Sequence, residues 1–190
     1  MDEVTNKIIV EKTLAYIAFS VIVATPSSSW LYFFISLGIS SIALLSGIYG
    51  NLRRNKELTL LHHLSIIMML GVFALHLWDA SIGLSWNLLG WFSLGILALA
   101  IFPFINKNLS EFLYREQVAP QTKTGRMILI ISLAVAPLAG VIGASFGSLA
   151  GNQGTFAVAG FLMSFATLGG VFFNFHRYAT DQFTWITRKK

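Results

Sequence analysis

The chain has 190 residues, 55% hydrophobic and only 11% charged, with a net charge of +5 and no cysteine. A soluble domain carries about 25% charged residues; half that proportion leaves too little polar surface to face water, so most of the solvent must be lipid. Disulfides, thiolate metal sites and cysteine nucleophiles are excluded. The positive charge follows the loops of one membrane face, which is a topology signal and excludes a nucleic-acid patch.

A membrane-crossing helix needs about 20 mainly apolar residues. Six segments meet this need: residues 8–24, 30–50, 58–78, 84–104, 127–150 and 155–175. The first ends at Thr25-Pro26-Ser27-Ser28-Ser29, a turn-forming cluster. Lys7 and Lys12 ahead of the apolar stretch 13–24 also resemble a signal peptide; the expectation is a retained first helix. Between spans four and five, Asn108-Leu109-Ser110-Glu111 fits a helix-capping pattern. Leu109, Phe112 and Leu113 then recur at helical spacing beside Arg115 and Glu116, predicting a short amphipathic helix on the cytoplasmic face. After span six, Phe183, Trp185 and Ile186 precede Arg188-Lys189-Lys190 and suit a headgroup anchor.

All 13 Lys and Arg fall in the N-terminal segment, the loops after spans two and four, and the tail. The other three loops have none, and their only ionisable residue is Asp79. Basic residues resist translocation, so both ends are expected in the cytoplasm. The predicted fold is an all-α integral membrane protein: a single six-helix transmembrane domain over 1–190, N-in and C-in, in a plasma membrane of the bacterial inner type.

In span five Ala139, Gly143, Gly147 and Gly151 recur every four residues. Small residues at this spacing let helices approach closely in lipid. Gly160, Ser164, Ala166, Gly169 and Gly170 on span six offer a partner surface, so the two spans are expected to form a tight hairpin, with a kink at Pro137. The same stripe would serve a homo-oligomer seam.

Residues able to carry chemistry are few. No carboxylate lies at mid-depth in any span, which disfavours an ion-coupled transporter built on a buried acid. His62 and His76 lie 14 residues apart on span three, within about 40° of one face and about 21 Å apart along the axis. Imidazole is a good axial haem ligand, and His176 at the inner end of span six would complete an inner b-type haem with His62. Arg53, Arg54 and Arg177 lie near enough to pair with propionates. Over span three alone the spacing resembles membrane b-type cytochromes; His76 has no second histidine at its depth, and the other helices lack that family's histidines. The simpler expectation is that His62, His63, His76 and His176 are polar tips at helix ends, with no cofactor. Gly143-Ala144-Ser145-Phe146-Gly147 resembles the serine surround of intramembrane rhomboid proteases. That chemistry needs a histidine opposite the serine at its depth, whereas His176 lies at the far end of span six and His76 precedes Ser145, against that family's order. The expected function is non-catalytic: a small-solute carrier or channel, or a subunit of a larger membrane complex, with the lipid bilayer and either a homo-oligomer or membrane-complex chains as partners and no nucleic acid. A haem-b electron-transfer subunit is the alternative and a serine protease the remote one.

Overall fold

A computed structural model describes residues 3–24, 28–118, 120–123, 125–127, 130 and 152–182. It contains α1 (Glu3–Ala24), α2 (Trp30–Arg53), α3 (Lys56–Ile82), α4 (Trp86–Ile105), α5 (Lys107–Val118) and α6 (Asn152–Ala179). There is no β-strand among the described residues. Four helices hold segments long and apolar enough to cross a membrane: Trp30–Gly50, Lys56–Ile82, Trp86–Ile105 and Gln153–Ala179. These coincide with predicted spans two, three, four and six. α1 covers the first, with Thr13–Ala24 as a shorter apolar section. Apart from Met127 and Ile130, span five lies outside the described residues, and with it Ala139, Gly143, Ser145, Gly147 and Gly151, as does the tail from 183.

Local chemistry explains where each helix stops. Arg54 takes a left-handed conformation (φ 51°) and its amide returns to the Gly50 carbonyl, closing α2. Asn55 then caps α3, its side chain accepting from the Leu58 amide at 2.8 Å. The turn is tight enough that a Cβ on Gly50 would lie 3.1 Å from the Thr59 nitrogen. At the other end of α3, Gly83 (φ 77°) supplies a conformation that side chains rarely adopt. Asp79 accepts from the Leu84 amide there, and Ser85 caps α4 through the Leu88 amide. α5 is capped by Asn106, which accepts from the Leu109 amide at 3.2 Å. The cap is therefore two residues earlier than Asn108.

α3 is the hub. It packs antiparallel to α2 on one side and to α6 on the other. α1 lies antiparallel along α2 through Ser20, Ser36 and Ser40, and α4 lies parallel to α6 through Phe102–Phe172 and Phe104–Phe175. Small residues set the spacing, as expected where lipid supplies no hydrophobic force between helices. Gly160 of α6 meets Leu77 and Ala74 of α3, Ser164 accepts from the Trp78 indole at 3.2 Å, and a Cβ on Gly170 would strike Ile67 at 2.6 Å. Of the small residues on span six that sequence reasoning reserved for span five, Gly160, Ser164 and Gly170 are thus engaged with α3, whereas Gly169 faces open space. By contrast α4 leaves most of its apolar surface open, with Trp91 74% exposed.

Candidate functional site

The turns divide the bundle into two ends. One, the basic end, has the α2–α3 turn with Arg53, Arg54 and Lys56, together with α5 and the C-terminus of α6. The other has residues 28–29 and 83–85, which include no basic residue. Each end encloses one fully buried histidine, and a serine seam lies along the bundle between them.

At the second end, α3 carries His76 inward, 0% exposed. Its Nδ1 lies 2.5 Å from the Val23 carbonyl oxygen, at the last turn of α1. That carbonyl belongs to the last described turn of α1, the part of a helix whose carbonyls run out of helical donors. His76 Nδ1–H donates to it and so closes α1. The Tyr32 ring of α2 stacks on the imidazole, centroids 4.0 Å apart and planes 10° apart. Tyr32 Oη donates to Asp79 Oδ2 at 3.2 Å, while Asp79 Oδ1 receives the Leu84 amide. Three helices and a turn are joined through one imidazole.

The seam follows along α2, whose buried Ser36, Ser40, Ala43 and Gly50 share a face. Ser36 Oγ donates to Ser20 Oγ of α1 at 3.2 Å, Ser20 and Ser40 lie 3.3 Å apart, and Ser40 reaches Met69 Sδ of α3 at 3.4 Å. Such interhelical bonds average about 0.6 kcal/mol each in lipid. Further along, His62 Nδ1 lies 2.6 Å from the Ala43 carbonyl. Its ring occupies the space over Gly47, where a Cβ would come within 2.6 Å of Nδ1. His63 instead bonds its own helix, Nδ1 to the Thr59 carbonyl at 2.7 Å.

At the basic end, α6 buries His176 to 1% exposure. Its Nδ1 meets Ser110 Oγ of α5 at 2.6 Å, and the ring stacks on Tyr114 at 4.5 Å. His176 Nε2 is buried without a hydrogen-bond partner. With Ser110 as acceptor, the unpaired group is a lone pair; with Ser110 as donor, it is an N–H. Leaving either unpaired costs about 1–3 kcal/mol. In the last turn of α5 the Glu116 carboxylate, 6% exposed, accepts from the Gln121 and Thr122 amides and from Thr122 Oγ1. Burial pushes this carboxyl up, but the bonds from Thr122 and Gln121 and the nearby Arg126 charge outweigh it and hold it below the ordinary value. Gly125 completes the cup, since a Cβ there would fall 1.7 Å from Glu116 Oε2.

The histidines singled out from sequence are therefore distributed as follows. His62 and His76 turn toward α1 and α2. His176 turns toward α5, so His62 and His176, at the same end, engage different helices. His76 and His176 are enclosed side chains rather than polar tips reaching for headgroups. His176 Nε2 is the fully buried nitrogen without a hydrogen-bond partner among the described residues, and it is the one a haem iron or other ligand could use, with the other ring nitrogen fixed by Ser110 in the way an outer hydrogen-bond partner fixes a metal-bound imidazole. Among the described residues no group of three or more histidine, aspartate or glutamate side chains could hold a metal ion. Sequence reasoning missed Tyr32, Ser110, Gly47 and the serine seam; the recurrence of small residues along α2 was a signal that could have revealed the seam. No family model matches the chain, and neither a curated protein nor a solved structure is similar to it by the comparisons made.

Proposed function

We propose that this chain is a non-catalytic, six-span membrane protein with both ends in the cytoplasm of a bacterial-type plasma membrane, acting as a subunit of a larger membrane complex. One observation carries the reading: a subset of the polar groups between α1, α2 and α3 bonds across helices, while Ser46, Ser65 and Ser81 bond their own helix. Ser20, Ser36, Ser40, His62 and His76 act as connectors between helices, which suits a rigid scaffold better than a solute path. The broad apolar surface of α4 supports the same reading, since it is available to lipid or to a neighbouring chain. A small-solute carrier or channel is the competing member of this class. Extraction of the tagged chain at its native level in mild detergent, followed by native mass spectrometry, tests the choice. The expected result is a fixed ratio of this chain to other chains. A particle holding only this chain, together with solute flux in proteoliposomes, would overturn it.

A second reading, haem-b electron transfer, is favoured by the buried, unpartnered Nε2 of His176. A dithionite-reduced minus oxidised spectrum of the purified chain should then show a b-type α-band that His176→Ala abolishes. A colourless preparation at full protein concentration would end this reading.

A further inference from the structure

The basic end contains a feature that the scaffold reading does not use. Between α2 and α3 lies an open groove of about 440 Å³. Its walls are Ile42, Leu45, Leu58 and Leu61, and Tyr49 and Arg53 stand at its charged end. We infer that this groove binds an anionic phospholipid, with one acyl chain along the leucine walls and the phosphate held by Arg53.

The dimensions fit a lipid of the leaflet at the basic end. From Ile42 to Arg53 the groove follows α2 for eleven residues, about 16 Å of helix, against about 15 Å for half the hydrocarbon thickness. The charge also fits. Lys56 is engaged by Asp181, and the other ion pair among the described residues joins Arg115 to Glu111. Arg53 pairs with no carboxylate among the described residues, and its guanidinium offers the fork that suits a phosphate. The left-handed turn at Arg54 fixes the end of α2, and with it the position of Arg53 at the groove mouth. Basic pockets between spans on the cytoplasmic side are a recurrent way of holding lipid headgroups. A groove of similar size at the opposite end, about 400 Å³ and lined by Val21, Trp30 and Phe33, has no charged side chain. It supplies the internal contrast: apolar space without a phosphate partner.

Native mass spectrometry of the purified full chain tests the site, with phosphatidylglycerol and phosphatidylcholine of identical acyl chains as probes. Phosphatidylglycerol should be retained at roughly fivefold lower concentration, the scale of one basic side chain near a headgroup. Arg53→Gln should remove that preference, and Arg177→Gln at the same end should preserve it. Leu61→Trp, which narrows the groove at an exposed wall, should weaken retention of both lipids. Excess glycerol phosphate should leave the lipid in place. Equal retention of the two lipids would overturn the inference. So would equal effects of the Arg53 and Arg177 changes, which would mean diffuse surface charge, or displacement by glycerol phosphate, which would mean a phosphate site alone. A wild-type measurement guards against variants that fold poorly: phosphatidylglycerol carrying a mid-chain diazirine should label Leu45 and Leu61 in preference to α4. Labelling spread evenly over α4 would contradict the site.

Discussion

Replacing His76 by Phe separates its two roles. The ring stack on Tyr32 survives in shape, while the bond to the Val23 carbonyl is lost. That carbonyl sits in the last turn of α1, and Val23 is fully buried, so water does not replace the donor. A buried acceptor left unpaired costs about 1–3 kcal/mol. For a chain of this size each kcal/mol corresponds to about 2–4 °C, so His76→Phe should lower the thermal midpoint in detergent by about 2–12 °C. His76→Gln keeps a donor and should recover part of the loss. His76→Ala removes the stack as well, adding about 0.5–1.5 kcal/mol for the aromatic pair and a cavity term. Midpoints should therefore fall in the order wild type, Gln, Phe, Ala, measured by differential scanning fluorimetry. A Phe variant as stable as wild type would refute the claim that His76 closes α1.

Gly47→Ala should destabilise by about 1–3 kcal/mol through overpacking, because the new Cβ meets the His62 ring; adding His62→Ala should return most of that loss, and an additive double variant would show that the ring does not occupy this space. The Glu116 cup predicts a pH dependence. Its folded value is depressed, so its contribution is complete above the ordinary carboxylate value, about 4.3, and is lost as pH falls below it through the folded value. Exchange of the Gln121 and Thr122 amides, corrected for intrinsic rates, should accelerate over that window and not in Glu116→Gln, which is already loosened at neutral pH. Gly125→Ala should produce the same loosening at neutral pH, since the added carbon displaces the carboxylate.

Hydropathy was enough to locate α2, α3, α4 and α6, because a long apolar run needs no knowledge of its neighbours. The amphipathic helix between spans four and five was legible as well, although its cap is Asn106 and not Asn108; the caps Asn55 and Ser85 were not singled out. The burial of Ser110 against His176, 66 residues away, was equally out of reach of the local sequence. The serine seam was hidden for a related reason. Serine is nearly neutral in hydropathy, so Ser20, Ser36 and Ser40 interrupt no apolar run and announce no partner. Small residues drew notice in spans five and six, where glycine dominates, and not on α2, where serine and alanine do the same work. Burial of His76 brings it to the Val23 carbonyl, 53 residues away, a contact that only the packed helices reveal.

Six crossings with both ends on one side form the central claim, and the absence of native cysteine makes it directly accessible. Single cysteines at Ser28, Asn87 and Gln153, and separately at Glu57, Gln121 and Gln182, can be challenged in intact cells with an impermeant maleimide. All six positions are exposed in the bundle. The first three should label from outside, and the second three only after permeabilisation. Labelling of Gln121→Cys and Gln153→Cys from the same side would remove the fifth crossing and contradict the account.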